Sequence, residues 1–260
     1  MSQRAVPAPV VVVTEGGPHI WAIVNALNDA VGPVTVIQEE PEPKSVLIKR
    51  RMRLQGVVSA TGQLATMVLT RLGKKAQASR AGAIAAQNAL ETVPRPGQAI
   101  VHVPNANAKE ALEAVSRLAP KIVLLAGCRM LSRGTLAAMP CPVVNYHAGI
   151  TPQYRGMNGG YWALATGDAG NFGGTVHLVD AGVDTGAVLY QQRGKPERGD
   201  NLGLYALRLA SICRGICVQA VRDGLAGELK PQPASILPSR QWYHPPIWTY
   251  LWNGLFKGVW

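Results

Sequence analysis

Several features that define whole classes of protein are missing from this sequence. The four cysteines include no Cys-x-x-Cys pair, so we expect reduced thiols rather than disulfides or a zinc site. The five histidines show no metal-binding spacing, and we expect a buried or surface role for His19, His102 and His244. No apolar run reaches the roughly 20 residues of a membrane-spanning helix, and the first residues lack the pattern of a secretion signal. We therefore expect a cytoplasmic protein, either soluble or peripheral on the inner face of the membrane.

Acidic residues are also scarce. The 15 Asp and Glu face 26 Lys and Arg, which gives a formal net charge of +11. No acidic residue occurs between Pro43 and Leu90, where there are nine basic ones, and none occurs after Glu228. Such a surplus favours an anionic partner: a phosphorylated small molecule, a nucleic acid or a membrane surface. No nucleic-acid-binding motif accompanies the charge, so a nucleic acid is the least favoured of the three.

Apolar runs alternate with helical patterns along most of the chain. This alternation predicts an α/β fold, a doubly wound, mostly parallel sheet with helices on both faces. Helices are predicted over Ala106 to Leu118, near Ser132 to Met139, and in a last long helix that ends near Gly227. The predicted parallel strands are Ala8 to Thr14, Val34 to Gln38, Ala99 to Val103, KIVLLAG from Lys121, and PVVNYH, which ends at His147.

Two polar residues stand at the end of the last of these strands. Asn145 and His147 are two positions apart, so on a strand they project to the same side. Ligands of such sheets bind at the carboxyl ends of the strands. An amide N–H donor beside a group that can hold a proton suits the stabilisation of a developing oxyanion. A bare Asn-x-His pair can equally be structural, and its position in the fold favours the functional interpretation.

A second polar segment follows downstream. The stretch GGTVHLVDAGVDTGAVL, from Gly173 to Leu189, predicts a strand, a loop with Asp180 and Asp184, and another strand. The two aspartates either contribute to a site or merely form the turn of a hairpin.

Three stretches together carry a family resemblance: LLAGCRMLS, NYHAGITPQYRG and VHLVDAGVDTG. In this order they resemble the folate-dependent formyltransferase family, which includes glycinamide ribonucleotide transformylase, methionyl-tRNA formyltransferase, formyltetrahydrofolate hydrolase and nucleotide-sugar N-formyltransferases. The resemblance implies a Rossmann-like formyltransferase fold and 10-formyltetrahydrofolate as formyl donor. It implies that Asn145, His147 and Asp184 form the catalytic set, with His177 behind the catalytic histidine. It also implies that the pterin is surrounded by Arg129, Met130, Leu131 and the loop that runs from Val179 through Asp180 to Asp184.

Departures from family patterns bear on the substrate. The loop Thr14 to His19 lacks the Gly-x-Gly-Ser-Asn phosphate loop of glycinamide ribonucleotide transformylases, and Glu15 would repel a phosphate. The short segment after Gly227 does not correspond to the carboxy-terminal barrel of methionyl-tRNA formyltransferases. We therefore expect an N-formyltransferase that acts on a primary amine, most simply an amino sugar on a nucleotide or lipid carrier. The alternatives are 10-formyltetrahydrofolate hydrolysis, formylation of methionyl-tRNA or glycinamide ribonucleotide, and a membrane-associated scaffolding protein with a silent site.

Two further segments point to a partner outside the site. We divide the chain into a catalytic domain, 1–228, that contains a basic helical insertion at 43–90, and an aromatic-rich extension, 229–260. Apolar residues recur at helical spacing in the insertion and predict a basic amphipathic helix or helix pair, which either covers the domain or meets an anionic membrane. The stretch QWYHPPIWTYLWNGLFKGVW, 241–260, is typical of an interfacial position, of packing on its own domain or of a homodimer contact. The apolar residues of the insertion are Leu54, Val57, Val58, Leu64, Ala65, Val68, Leu69 and Leu72.

Overall fold

A seven-stranded sheet forms the centre of the molecule. The computed structural model describes residues 9–260, without the side chains of 74–76, so the predicted place of Ala8 lies outside the described residues. The strand order is β3-β2-β1-β4-β5-β7-β8; the first five strands are parallel and the last two antiparallel. The predicted doubly wound, mostly parallel sheet is confirmed. Its strands are β1 (Val10–Thr14), β2 (Thr35–Glu39), β3 (Ile100–Val103), β4 (Ile122–Ala126), β5 (Val143–His147), β7 (Gly173–Leu178) and β8 (Val188–Arg193).

Helices cover both faces of this sheet. Strands β1 and β4 are buried along their whole length, as expected of Val- and Leu-rich strands packed on both sides. One face packs against α1 (Pro18–Val31) and α8 (Tyr205–Ala226), and α8 contributes the buried thiols of Cys213 and Cys217. The other face packs against α5 (Lys109–Leu118) and the short α6 (Arg133–Ala137).

The helix predicted from Ala106 begins three residues later, at Lys109. The side chain of Asn105 accepts a hydrogen bond from the Asn107 N–H at 2.9 Å and so forms a local turn. Such side-chain turns compete with helical hydrogen bonds, which explains the late start. The short helix predicted near Ser132 to Met139 lies at Arg133–Ala137, and Ser132 caps it by accepting from the Thr135 N–H at 3.0 Å.

The basic insertion forms three helices rather than the predicted one or two. These are α2 (Lys44–Gln55), α3 (Val57–Leu72) and α4 (Lys74–Gln87). Gly56 separates the first two with a φ of +80°, a conformation that glycine adopts readily and other residues rarely. Gly56, the single residue between α2 and α3, thus turns the chain. The apolar residues keep their helical spacing across this point, so the sequence pattern did not show the break.

The orientation of α3 also differs from one of the two interpretations of the insertion. Its inward face carries Ala60, Gln63 and Thr66, and Gly62 on the same face lets the ring of Trp248 approach so closely that an added Cβ would lie 2.5 Å from it. The apolar residues predicted to cover the domain are instead largely exposed. The exposed members are Leu54, Val57, Val58, Ala65, Val68, Leu69 and Leu72.

The carboxy-terminal segment packs back onto the sheet. The two-residue strand β9 (Gln241–Trp242) pairs in parallel with β6 (Arg155–Gly156), and the Trp242 ring stacks on Trp162 at a centroid distance of 4.6 Å. It continues into α9 (Ile247–Lys257), which contacts α3. The chain also forms α7 (Gly159–Ala165) between β6 and β7. The division at residue 228 stays a prediction. Within residues 9–260, no helix combines the length and apolarity needed to cross a membrane.

Candidate active site

The structure brings Asn145, His147 and Asp184 into direct contact. The Asn145 side-chain amide donates to Asp184 Oδ1 at 3.1 Å, and His147 Nδ1 lies 3.4 Å from Asp184 Oδ2. Val144 and Tyr146, between the two β5 residues, point to the opposite face and belong to the core under α1 and α8. Strand periodicity therefore places the amide and the imidazole together, as predicted.

Asp184 reaches this position through an unusual backbone conformation. Its φ of +50° lies in the left-handed region, and its Oδ2 accepts a hydrogen bond from the Gly156 N–H at 2.8 Å. The preceding carbonyl, that of Val183, accepts from the Arg155 guanidinium at 2.8 Å. The loop that carries Asp184 is thus held by the segment that carries β6. Left-handed conformations of non-glycine residues concentrate at functional sites.

The surroundings of Asp184 keep its carboxylate charged. Burial raises the pKa, but His147, His177 and the Gly156 N–H more than offset it and lower the pKa from 3.8 to about 2. At neutral pH the group is therefore a permanent acceptor of hydrogen bonds and protons from its neighbours.

His177 lies behind this set, as the family resemblance implies. It pairs with Asn145 across β5 and β7, and paired residues share a face of the sheet. Its Nδ1 donates to the Leu178 carbonyl at 2.7 Å, and its Nε2 lies 3.1 Å from the Asn145 amide nitrogen and 3.4 Å from Asp184 Oδ1. The Asn145 amide is thus held between His177 and Asp184, which sets its orientation.

The ring of His147 lies between two acceptors. Its Nε2 is 2.6 Å from the Tyr154 carbonyl oxygen, and its Nδ1 faces the Asp184 carboxylate. A neutral imidazole can donate from only one nitrogen, whereas the imidazolium donates from both. Both nitrogens of the His147 ring thus face an oxygen atom. Gly149 makes this approach possible, since an added Cβ there would lie 2.5 Å from Nε2.

The two aspartates of the downstream loop have different roles. Asp180 is exposed, and its Oδ1 accepts from the Gly182 N–H at 3.0 Å and from the Thr185 hydroxyl at 2.7 Å. This is the turn-forming role that the hairpin interpretation assigned to both residues. Asp184 instead points to Asn145 and His147. A contact of Asp180 with folate stays a prediction.

The segment Arg129 to Leu131 follows β4, the strand that pairs with β5. The Arg129 guanidinium donates to the carbonyls of Pro104, at 3.0 Å, and Glu40, and lies 3.5 Å from the Glu39 carboxylate. Met130 is 60% exposed, whereas Leu131 is buried in the same core layer as Val143. The Arg129 side chain and backbone N–H are thus engaged in structural contacts, and its carbonyl is what remains for a ligand.

These residues fit the folate that the fold family implies. Leu131 and Val179 both pack in the layer on the Asn145 side of β5, so the two predicted loops lie on one face. A pterin is a flat ring with hydrogen-bonding edges, and binding sites for such rings combine apolar walls with a few backbone donors and acceptors. The loop 127–131 and the segment from Val179 to Asp184 offer both.

Three participants in the site were not identified from the sequence. Gly156 and Tyr154 act through backbone atoms, the N–H that holds Asp184 and the carbonyl that faces His147. Both lie within NYHAGITPQYRG, so the motif contained them without indicating a role. Glu39 is 2% exposed at the end of β2 and accepts from the Arg129 N–H at 2.6 Å and the Ala106 N–H at 2.8 Å. The sequence signal that could have identified Glu39 was a carboxylate directly after a predicted buried strand.

The sheet and the site define a doubly wound α/β protein with a charged Asn-His-Asp site of the kind that serves acyl-group transfer. Residues 10–221 match the formyl transferase family, and the chain belongs to it. Members of this family are folate-dependent N-formyltransferases that use 10-formyltetrahydrofolate as formyl donor. The assignment made from the three sequence stretches is confirmed.

Individual relatives are similar over part of the chain. The methionyl-tRNA formyltransferase of Kosmotoga olearia is 29% identical over 142 residues, which cover 54% of this chain and 45% of that protein. That of Synechocystis sp. is 36% identical over 111 residues, or 43% of this chain and 33% of that protein. The chain thus matches less than half the length of these curated relatives.

Solved structures show the same fold. Glycinamide ribonucleotide transformylase 1 from Symbiobacterium toebii superposes with a TM-score of 0.56 at 20% identity, over 92% of this chain and 98% of that one. A sugar N-formyltransferase from Shewanella sp. gives a TM-score of 0.54 at 15% identity, over 89% of this chain and 75% of that one. At these identities the likeness concerns the fold alone.

Proposed function

We propose that this chain transfers a formyl group from 10-formyltetrahydrofolate to the primary amine of an amino sugar on a nucleotide or lipid carrier. The observation that carries the transfer step is the contact of Asp184 with both Asn145, at 3.1 Å, and His147, at 3.4 Å. Arg129, Met130, Leu131, Val179 and Asp180 are proposed to surround the pterin, largely through backbone groups and apolar side chains.

Each residue of the site has a separate task. The bound folate would supply the electrophilic formyl carbon. The amide N–H of Asn145 is a donor for negative charge that develops on the formyl oxygen, and the positive charge of His147 stabilises the same oxygen electrostatically. The carboxylate of Asp184 keeps His147 charged and accepts the proton that the amine loses, directly or through water. His177 holds the Asn145 amide in the required orientation.

The choice of acceptor substrate depends on the loop between β1 and α1. Glu15 lies in this loop, 3.8 Å from Arg129, and its negative charge disfavours a phosphate at the start of α1. The charge of Glu15 therefore argues against a glycinamide ribonucleotide acceptor bound by its phosphate at this loop. A small amino sugar is an acceptor that needs no phosphate site at the start of α1.

Labelled formyl transfer tests this proposal. Purified protein is incubated with isotope-labelled 10-formyltetrahydrofolate and a panel of amino sugars, free, nucleotide-linked and prenyl-phosphate-linked. Asn145→Ala should lower turnover at least a hundredfold, because one oxyanion donor contributes about 2.7 to 4 kcal/mol in other enzymes. Folate affinity should stay nearly the same. Asn171→Ala, which lies outside the site, is the matched control. Label recovered only as formate, with or without an amine, would instead establish a hydrolase.

We also propose that the enzyme works at an anionic membrane surface. The helices α3 and α9 pack together, and the exposed side chains of α9 include Trp252, Leu255 and Phe256 at 58 to 70% exposure. The helices α2 and α3 carry exposed cations, namely Lys49, Arg53 and Arg71. Aromatic and apolar side chains beside cations bind the interface of anionic bilayers.

Vesicle flotation tests the membrane proposal. The protein should bind vesicles of phosphatidylglycerol and phosphatidylcholine more than vesicles of phosphatidylcholine alone, at physiological salt. Trp252→Ser together with Phe256→Ser should abolish flotation. Val93→Ser, an exposed apolar residue outside α3 and α9, is the control. Absence of flotation together with a concentration-dependent dimer that the double variant dissociates would assign the face to a second copy of the chain.

A further inference from the structure

Among the residues that the structure describes, Arg51 on α2 is a buried cation without a carboxylate partner. It is 6% exposed, and its one hydrogen bond to the described residues is to the Met67 sulfur at 3.2 Å. Glu42, whose charge acts on Arg51, is ion-paired to Arg50 at 2.8 Å. A guanidinium has five N–H donors, and a thioether is a weak acceptor. A buried charge without a partner destabilises a fold, so its presence calls for a role other than structural support.

A second unpartnered donor lies nearby in the carboxy-terminal segment. His244 Nδ1 is 3.0 Å from the Asn158 amide nitrogen, which can only donate, so Nδ1 accepts and the hydrogen is on Nε2. Nε2 is buried and has no partner among the residues that the structure describes. Burial, with a smaller contribution from the charge of Arg51, lowers the pKa of His244 to about 4. The ring is therefore neutral at pH 7 and presents an N–H donor.

The tertiary structure brings together the segments that carry these two donors. Arg51 contacts Met67 on α3, and Gly62, one and a half turns earlier on the same helix, adjoins Pro246, two residues after His244. The insertion and the carboxy-terminal segment thus meet at this point.

One of these donors, His244, contacts the segment that holds the catalytic carboxylate. Asn158, the partner of His244, follows Gly156 by two residues, which spans about 7 Å at most. The Gly156 N–H donates to Asp184. A ligand held by Arg51 and His244 would therefore lie beside the segment that positions Asp184.

We propose that Arg51 and His244 form a binding site for a phosphate group of the acceptor substrate. This inference rests on the proposed function, since it names the anionic part of the carrier whose amino sugar receives the formyl group. A guanidinium binds phosphate through two parallel hydrogen bonds, and the His244 N–H adds a third, neutral donor. The phosphate is either that of a nucleotide diphosphate or that of a prenyl carrier, and both present the same chemistry to these donors.

Binding is measured apart from catalysis. Inorganic pyrophosphate, uridine diphosphate and a short-chain prenyl phosphate in detergent are titrated by calorimetry into the complete chain without folate. At least one should bind, and Arg51→Gln and His244→Phe should each weaken its affinity at least tenfold. Lys44→Gln, an exposed cation on the same helix, should leave it unchanged. Stronger binding of uridine diphosphate than of pyrophosphate identifies a nucleotide carrier, and stronger binding of the prenyl phosphate identifies a lipid carrier.

Thermal unfolding separates this role from a structural one. Because Arg51 is buried without a charged partner, Arg51→Met should keep or raise the midpoint of unfolding. A structural Arg51 would instead give a lower midpoint and an unchanged affinity of the remaining folded protein. Failure of all three ligands to bind, or equal binding by wild type and Arg51→Gln, would overturn the proposal.

The two proposals fail independently. Asn145→Ala should retain ligand binding to Arg51 and His244 while losing formyl transfer. If formyl transfer is absent but phosphate binding depends on Arg51, the site exists and the proposed reaction is wrong. If transfer occurs with a KM for a phosphate-bearing acceptor that Arg51→Gln does not change, the site proposal is wrong and the reaction stands.

Discussion

The backbone N–H of Gly156 lies 2.8 Å from Oδ2 of Asp184, so a strand pair outside the main sheet positions the candidate catalytic carboxylate. Gly156 belongs to β6, which pairs with β9 of the carboxy-terminal segment. The segment after residue 228 therefore supports the site through backbone hydrogen bonds, although it contributes no residue to the Asn-His-Asp set.

Asp184→Asn should lower formyl-transfer turnover at least a hundredfold. The substitution keeps the size of the side chain but removes the charge that favours the His147 imidazolium and the acceptor for the proton of the amine. Affinity for the folate should change little, and equilibrium dialysis with tetrahydrofolate checks it. A turnover within threefold of wild type would contradict the role assigned to Asp184.

Acid should weaken the wild-type fold in a way that Asp184→Asn does not share. The folded pKa of Asp184 is lowered from 3.8 to about 2. A lowered carboxyl pKa contributes stability that is present above the unfolded pKa and is lost as pH falls through the folded one. The contribution is on the order of 2 kcal/mol and should disappear between about pH 4 and pH 2. Urea unfolding of both proteins across this range measures it; parallel stability curves would refute the assignment.

Gly156→Ala should destabilise the fold and impair the site together. Its φ is +89°, and an added Cβ would lie 2.3 Å from the Trp242 carbonyl oxygen. We expect a loss of about 2 kcal/mol or more in the free energy of unfolding, with reduced turnover in the protein that remains folded. Gly215→Ala is the matched control, since this exposed glycine within α8 has no atom within 4 Å of an added Cβ. It should stabilise the protein by about 0.5–1 kcal/mol. Equal effects of the two substitutions would contradict the strain argument.

Tyr154→Phe should cost stability without a comparable loss of turnover. The Tyr154 hydroxyl donates to the Asp168 carboxylate at 2.7 Å, whereas its backbone carbonyl is what faces His147. Removing the hydroxyl leaves a partly buried carboxylate with one partner fewer and should cost about 1–3 kcal/mol. Chemical denaturation and steady-state kinetics on the same preparation check both parts. A drop in turnover of tenfold or more at unchanged folding would show that the side chain acts on the site.

The sequence by itself predicted the sheet and most of its contents. Parallel strands buried on both faces must be apolar throughout, so Val10–Thr14 and Ile122–Ala126 were recognisable without the structure. The period of two along a strand also predicted that Asn145 and His147 share a face. The family motifs then placed Asp184 and His177 in the same site. Those predictions depend on local periodicity and on contiguous motifs, which a sequence displays directly.

Only the tertiary structure decided which residues complete the site and which way the insertion faces. The contacts of the Gly156 N–H and the Tyr154 carbonyl depend on where a loop returns, because every residue but proline carries the same backbone groups. Helical spacing in the insertion predicted an apolar face, but not its direction. Gly62 admits the Trp248 ring, so α3 turns Gln63 and Thr66 inward and leaves Val58 and Leu72 exposed. Arg51 and His244 are nearly two hundred positions apart, and the packing of α3 against α9 is what brings their segments together.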